Sequence, residues 1–326
     1  FRSCLQNAEL QINKLNSRRR AAYLYSRDMN RIFQKFFYSF TVIFLFVGGV
    51  GAQTVSGACN IEVKTSPVGG GTIEYLKTGK GTPILLLHGL FAQKEQWSEF
   101  ACYLSAAGYL VIAPDLPGYG KSTPFPMVDY KLENQVRLLH EFTNTLNIQK
   151  VDLAGSSMGG AIASMYARAY PMQVRSLAFI GSPLGISGWS TQVKSALYQG
   201  INPFIPISVD QFNLEMQLLF YKPPIVPESI QQNLIADYQK SNRHYQQIWD
   251  IVNLYLYEIE KNPPSPIPTL IMWGKQDGIF DVVDVERLRQ KYPKNRYLAI
   301  NEAGHLLMLE TPKEVASIYM TFLKPR

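Results

Sequence analysis

The stretch "VDLAGSSMGGAIASMYA", residues 151–167, decides the fold of this chain. An apolar run typical of a buried strand stops at a turn of glycines and serines, and a helical pattern of small residues follows at once. Within the turn, Gly155 to Gly159 match G-x-S-x-G with Ser157 at the centre. A strand, a sharp turn and a helix around that pentapeptide are the context that a nucleophile elbow requires. Glycine-rich corners without chemistry are also common, so a catalytic interpretation needs partners elsewhere in the chain.

The rest of the body repeats this alternation of strand and helix. The candidate strands are Thr72–Leu76, Pro83–His88, Tyr109–Pro114, Lys150–Gly155, Arg175–Gly181, Pro268–Trp273 and Asn295–Ile300. The helical patterns between most of them are Glu95–Ala107, Tyr130–Leu146, Met158–Tyr170, Val283–Tyr292 and Lys313–Leu323. Near-continuous apolar strands separated by helices predict an α/β fold, with a mostly parallel central sheet flanked by helices.

Residues 183–265 break the alternation. They hold helical patterns, such as Val209–Phe220 and Glu228–Glu258, together with proline-rich stretches, and no convincing buried strand. We interpret them as a helical cap inserted after the sixth strand, over the strand ends where open α/β sheets bind ligands. The predicted organisation is an N-terminal segment (1–58), a first core part (59–182), the cap (183–265) and a second core part (266–326).

A serine hydroxyl needs a base before it can act as a nucleophile. The chain has four histidines. His305, in "NEAGHLLMLETP", follows the last strand and is the one placed where a base should be. His140 and His244 are interpreted as polar surface or lining residues, and His88 ends a strand.

The base in turn needs an acid that holds its tautomer. Asp277, in "IMWGKQDGIFD", follows the preceding strand and emerges at the same sheet edge; Asp281 is the alternative. The order Ser157, Asp277, His305 is the order found in α/β-hydrolases.

An oxyanion needs two backbone donors. We expect these donors to be the amide of Met158, directly after the serine, and the amide of Leu90, in the loop that follows the strand at 83–88. The residues expected to shape the two loops are His88, Gly89, Gly155 and Gly159.

With these residues assembled, the chain resembles the α/β-hydrolase superfamily from about residue 72 onward. The similar blocks are "LLLHGLFAQKEQW", "VIAPDLPGYGKS", "LAGSSMGGAIA", "IPTLIMWGKQD" and "GHLLMLETP". Within the superfamily, it is most similar to bacterial lipases and esterases and to membrane-anchored monoacylglycerol lipases. The resemblance implies hydrolysis of a small-molecule ester or lipid, such as an acylglycerol, through an acyl-enzyme and without a metal or organic cofactor. We expect a monomer.

Two other functions stay open. The same triad serves C–C bond hydrolases of ring-cleavage products, and some members of the fold bind ligands without catalysis. The cap stretches "INPFIPI", "MQLLFY" and "IWDIVNLYLY" are rich enough in apolar side chains to line an acyl-chain pocket, but the same side chains would also serve to pack the cap helices together.

The positive charge is concentrated at the N-terminal end. The chain has a formal net charge of +7, and residues 1–35 carry eight basic against two acidic residues, so the body is nearly neutral. That distribution argues against a nucleic-acid partner. The basic segment runs into the uncharged stretch "FFYSFTVIFLFVGGVGA", residues 36–52, which suits a signal-peptide core or a membrane anchor. Either would place the body at a membrane or in the cell envelope.

Details of that segment stay open. Met29 opens "MNRIFQK" just before the apolar run and is the hypothetical start of the physiological protein. Cleavage after Ala52 or Ala58, lipidation of Cys59 within "VSGAC", and a permanent anchor are the alternatives. The three cysteines show no metal-ligand spacing, and a Cys59–Cys102 disulfide is one arrangement open to them.

Overall fold

The computed structural model describes residues 59–324. At its centre is an eight-stranded sheet with the strand order β1-β2-β4-β3-β5-β6-β7-β8. The strands are β1 (Glu62–Val68), β2 (Gly71–Thr78), β3 (Thr82–Leu87), β4 (Tyr109–Pro114), β5 (Val151–Ser157), β6 (Val174–Pro183), β7 (Thr269–Gly274) and β8 (Asn295–Ile300). From β4 to β8 across the sheet, neighbouring strands are parallel, whereas β2 is antiparallel to both β1 and β4.

Helices connect the strands and cover the sheet. They are α1 (Ser98–Ala106), α2 (Leu132–Thr145), α3 (Met158–Ala169), α4 (Thr191–Tyr198), α5 (Val209–Leu219), α6 (Glu228–Lys240), α7 (Asn242–Asn253), α8 (Val285–Lys291), α9 (Leu307–Glu310) and α10 (Pro312–Leu323). Alternate residues of β3 enter two different apolar clusters, Leu85 and Leu87 in one and Ile84 and Leu86 in the other. Both faces of the sheet are therefore buried, as the continuous apolar strands predict.

The predicted α/β architecture is confirmed, and the strand that the sequence did not reveal is β1. Its residues are mostly exposed and include Pro67 and the Lys64–Glu62 ion pair, so the strand lacks the apolar run that marked the others. Charged residues and proline are typical of edge strands, where they discourage pairing with another chain.

A disulfide joins the start of this edge to a helix. Cys59, just before β1, is bonded to Cys102 in α1, with the two Cα atoms 5.4 Å apart, within the usual range for a disulfide. A cysteine sulfur held in a disulfide is not available for a thioether to lipid, so this structure contradicts the lipidation of Cys59. The signal and anchor alternatives concern residues 36–52, which lie outside the described residues, as does Met29.

Four helices, α4 to α7, lie between β6 and β7 in the chain. Ser190 and Ser208 are the N-cap residues directly before α4 and α5, and each side chain accepts a hydrogen bond from a backbone amide of the first turn. The helical pattern predicted over Glu228–Glu258 is divided at Ser241 into α6 and α7, and α4 was not predicted from the sequence. None of the helices within residues 59–324 has the length and apolar character that crossing a bilayer requires.

A buried ion cluster ties the loop after β3 to the sheet. The Lys94 ammonium lies 3.0 Å from Asp115, 2.8 Å from Glu74 and 2.9 Å from Glu95, and the Lys94 side chain is 2% exposed. Asp115, which is fully buried, also accepts the backbone amides of Lys94 at 2.7 Å and Lys121 at 2.8 Å. Burial alone would lower the pKa of Lys94, but the surrounding carboxylates raise it above its usual value. The cluster fixes β2, β4 and the 94–97 turn to one another.

Candidate active site

The predicted nucleophile elbow is the turn between β5 and α3. β5 ends at Ser157 and α3 begins at the next residue, so Ser157 takes up a φ of +53° and a ψ of −122°. A serine at positive φ is strained, and such strain concentrates at functional sites. A Cβ added to Gly155 would lie 2.2 Å from the Gly159 carbonyl oxygen, and one added to Gly159 would lie 2.3 Å from the Leu87 carbonyl oxygen. The turn can therefore form only with glycine at both positions.

The loop after β3 passes over the elbow. A Cβ on Gly89 would lie 3.3 Å from the Ser157 Cβ and 3.9 Å from its Oγ. The Ala92 amide donates to the Gly89 carbonyl, which folds residues 89–92 into a turn with Phe91 at a φ of +54°. Leu90 lies inside this turn, and Met158 is the first residue of α3, where the helix dipole favours negative charge. This placement is consistent with the oxyanion donors predicted from the sequence, namely the Leu90 and Met158 amides.

His88 connects that loop to the loop after β4 through two hydrogen bonds. Its Nδ1 lies 2.8 Å from the Gly89 carbonyl oxygen, and its Nε2 lies 2.9 Å from the Leu116 amide nitrogen. Because the amide can only donate and the carbonyl can only accept, the proton of the neutral ring is on Nδ1. Complete burial lowers the pKa of His88 to about 4. His88 is thus a neutral side chain whose hydrogen bonds connect the loops after β3 and β4.

We predict that His88 makes the protein less stable in mild acid. The unfolded chain takes up this proton near pH 6.5, whereas the folded chain resists protonation down to about pH 4, so the stability is present above pH 6.5 and is lost as the pH falls towards 4. Between pH 7 and pH 5, the wild-type free energy of unfolding should fall by about 2 kcal/mol more than that of His88→Gln. Urea unfolding at the two pH values measures this. Equal pH dependence in the two proteins would contradict a neutral, buried His88.

The predicted acid and the predicted base meet beyond β7 and β8. His305 Nδ1 lies 3.0 Å from Asp277 Oδ2 and 3.2 Å from Oδ1, and His305 is 2% exposed. The Asp277 Oδ1 also accepts the backbone amides of Ile279 at 2.8 Å and Phe280 at 3.2 Å, which fixes the carboxylate. Of the two candidate acids, the structure thus brings Asp277 to His305. Asp281 instead precedes a short 3-10 turn, and its carbonyl accepts the Asp284 amide.

Gly181 lies between the base and the elbow. A Cβ at this position would lie 2.6 Å from the His305 carbonyl oxygen and 3.3 Å from the Ser156 Oγ. The loop that carries His305 and the turn that carries Ser157 therefore approach the same point at the end of β6. With Nδ1 engaged by Asp277, the Nε2 of His305 is the ring nitrogen left for proton exchange.

The C-terminal end of α5 is hydrogen-bonded directly to the two loops that carry Asp277 and His305. The Leu219 carbonyl accepts the amides of His305 at 2.9 Å and Leu306 at 3.2 Å, and the Leu218 carbonyl accepts the Gly278 amide at 3.2 Å. These are carbonyls that a helix end leaves without intrahelical partners. The end of α5 therefore fixes the backbone of the loop that carries His305.

Glu310 adds a second clamp on the same loop. Its Oε2 accepts the Gly304 amide at 2.6 Å, and its Oε1 accepts the Lys222 amide at 3.0 Å. The carboxylate therefore connects the residue before His305 to the chain that follows α5.

Aromatic residues of the 183–265 region pack mainly on one another. Trp189 stacks on Trp249 at 4.9 Å and on Phe280 at 5.1 Å, measured between ring centroids, and Phe204 stacks on Trp249 at 5.0 Å. The Phe280 ring in turn lies 6.0 Å from the His305 ring. The stacked rings connect Trp249 of α7, through Trp189 and Phe280, to the neighbourhood of the His305 ring.

On the other side of the site, the 183–265 region contacts the loop after β3. The Phe91 ring lies edge-on to Tyr245, with centroids 5.0 Å apart, and the Tyr245 hydroxyl donates to Asp237 at 2.9 Å. His244 lies edge-on to Tyr130, and burial lowers its pKa. His140 stacks on Tyr170 and interacts with Gln173, in the layer of α2 and α3.

Sequence reasoning missed three contributors to the site: Ser182, Leu219 and Glu310. Ser182 Oγ contacts both Asp277 and His305. A polar residue at the carboxyl end of a buried parallel strand is a signal that could have indicated it. Leu219 contributes a main-chain carbonyl, which leaves no signal in the sequence. Within residues 59–324, no cluster of three or more His, Cys, Asp or Glu side chains is arranged to hold a metal ion.

Known proteins are similar over most of the chain. It is 31% identical over 251 residues to Lipase 3 of Moraxella sp. (strain TA144), covering 74% of this chain and 77% of the relative. It is 31% identical over 262 residues to monoacylglycerol lipase ABHD6 of Mus musculus, covering 76% of this chain and 77% of the relative. The solved structure of a membrane phospholipase A, a bacterial virulence factor, has a TM-score of 0.74 and 30% identity, covering 81% of this chain and 86% of that one.

A profile of the α/β-hydrolase fold family matches residues 82–211 and 221–312, more than half of the chain. The sheet order, the elbow at the end of β5 and this match agree, and the chain therefore belongs to the α/β-hydrolase fold family.

Proposed function

We propose that this chain is a serine hydrolase that cleaves carboxylic esters of the acylglycerol type. The observation that carries the proposal is the Asp277–His305 pair, buried at the same sheet edge as the strained Ser157. Relatives at about 30% identity that are named lipase and monoacylglycerol lipase support ester hydrolysis and an acylglycerol as the substrate class.

The chemistry follows from the roles of the three side chains. His305 Nε2 takes the proton of the Ser157 hydroxyl while the oxygen attacks the ester carbonyl carbon. The amides of Leu90 and Met158 donate to the resulting oxyanion. His305 then gives the proton to the leaving alcohol, which frees an acyl-enzyme ester on Ser157. A water molecule, deprotonated by His305, hydrolyses that ester and releases the carboxylic acid.

We further propose that the protein works at a membrane or in the cell envelope. The uncharged stretch 36–52 supports this location through its composition. The Cys59–Cys102 disulfide adds independent support, because disulfides persist in oxidising compartments outside the cytosol.

Assays with p-nitrophenyl esters from acetate to palmitate test the substrate class. We expect turnover that peaks at medium or long acyl chains, because relatives at about 30% identity are named lipase and monoacylglycerol lipase. A peak at acetate would keep an esterase and discard the lipase. Absence of turnover on every ester would instead direct attention to C–C bond hydrolysis.

A fluorophosphonate probe tests whether the site is catalytic at all. Its phosphorus reacts with a serine only when a base activates the hydroxyl, so peptide mapping should find the adduct on Ser157. Absence of any adduct would favour a ligand-binding member of the family.

A further inference from the structure

Ser182 contacts both Asp277 and His305 without being part of the predicted triad. It is the second-last residue of β6, and its side chain is fully buried. β6 pairs with both β5 and β7, the strands that lead to the nucleophile and the acid. The preceding Gly181 has a φ of +91°, and the His305 loop packs against it.

The Ser182 hydroxyl closes a ring of hydrogen bonds with the acid and the base. Its Oγ donates to Asp277 Oδ2 and lies 2.9 Å from His305 Nδ1, which is itself 3.0 Å from Asp277 Oδ2. A hydroxyl has a single proton, and the carboxylate can only accept. Towards His305, the Ser182 oxygen is therefore an acceptor, and the Nδ1–H of the base lies between two acceptors.

From this geometry we infer that Ser182 is a positioning residue for catalysis, which acts through Asp277 and His305. The inference rests on the proposed function. Ser182 holds one carboxylate oxygen in place, while the amides of Ile279 and Phe280 hold the other. It also keeps the proton of the resting base on Nδ1, so that Nε2 is free to accept the proton of Ser157.

The contribution is largest when the base is charged. As Ser157 attacks, its proton moves to Nε2 and the ring becomes an imidazolium, whose Nδ1–H is a stronger donor. The Ser182 oxygen then gives the imidazolium a neutral acceptor beside the charged one. No proton passes through Ser182: the Nδ1 proton stays on the ring, and the Nε2 proton leaves with the alcohol.

The test compares Ser182→Ala with Ser176→Ala in the full-length protein. Ser176 is a matched control because it lies on the same strand, is buried and donates to a carboxylate, Asp152, at 2.7 Å. For Ser182→Ala, we expect kcat on an ester and the rate of fluorophosphonate labelling of Ser157 to fall about 10- to 100-fold, with KM within about twofold. Ser176→Ala should keep both rates within about twofold.

A second comparison, made in the Asp277→Asn variant, distinguishes a positioning role of Ser182 from general damage to the packing of the site. In Asp277→Asn, one of the two partners through which Ser182 acts is already impaired, so adding Ser182→Ala should cost clearly less than the same change costs in the wild type. The nearly isosteric Ser182→Cys, a weak donor, should fold like the wild type and show a similar fall in kcat.

Three results would overturn parts of this picture in distinguishable ways. Wild-type rates in Ser182→Ala would overturn the positioning role alone. An equal fall in the Asp277→Asn background would do the same, because it would assign the loss to packing. Absence of labelling in the wild type would overturn the proposed function and, with it, the inference.

Discussion

Ser157→Ala is expected to lower kcat for ester hydrolysis by about 10⁴-fold or more. The alanine removes the atom that forms the acyl-enzyme, and the oxyanion donors and the base are left without a nucleophile to serve. KM should change little, because the hydroxyl contributes little to ground-state binding. Initial rates on a medium-chain p-nitrophenyl ester, with circular dichroism to check folding, measure the effect.

The neighbouring serine provides the matched control. Ser156 is adjacent in sequence and fully buried, but it is not the residue at the strained position of the elbow. Ser156→Ala should lose less than about tenfold in kcat. If Ser156→Ala lost as much activity as Ser157→Ala, or if Ser157→Ala kept more than about a tenth of it, the assignment of the nucleophile would be wrong.

Lys94→Ala is expected to destabilise the protein by about 3–5 kcal/mol. The substitution leaves Asp115 buried with no cation beside it, and it leaves Glu74 and Glu95 close to the same point without the ammonium that separated their charges. The cost is that of uncompensated buried charge, which greatly exceeds the value of an exposed ion pair. Urea unfolding at pH 7 measures it.

An exposed lysine ion pair is the control for this prediction. Lys222 lies 3.3 Å from Glu302, and the two side chains are 72% and 68% exposed. Lys222→Ala should cost about 1 kcal/mol or less. A second check is Lys94→Ala combined with Asp115→Asn, which should be less destabilising than the sum of the two single changes because the charge to be compensated has gone. Loss of less than about 1 kcal/mol in Lys94→Ala would show that the cluster does not stabilise the fold.

The elements that the sequence predicted well are those whose burial leaves a strong pattern. Seven strands produced apolar runs, and the glycines of the elbow mark a turn that no other residue can occupy. β1 left no such run, because an edge strand faces solvent along most of its length. The break between α6 and α7 at Ser241 was missed because both sides continue the same helical pattern.

The residues of the candidate site can also be divided into those that leave a pattern in the sequence and those that do not. The motifs around Ser157, Asp277 and His305 could be found because side chains carry the chemistry. The hydrogen bonds from His305 and Gly278 to the end of α5 could not, because main-chain atoms are the same in every residue. Ser182 lies between these cases, since its hydroxyl is visible in the sequence, but its two partners come from loops about 95 and 123 positions away.

The attachment of α5 to the loop of the base has a consequence for how substrate preference can diversify on this scaffold. A chimera that receives α6 and α7 from a relative keeps the Leu219 carbonyl and hence the anchored His305 backbone. A chimera that receives a different α5 must reproduce that helix end, because otherwise the backbone of His305 loses its hydrogen bond to Leu219. We therefore expect α6 and α7 to be exchanged more easily than α5, whose end is hydrogen-bonded to the loop that carries His305.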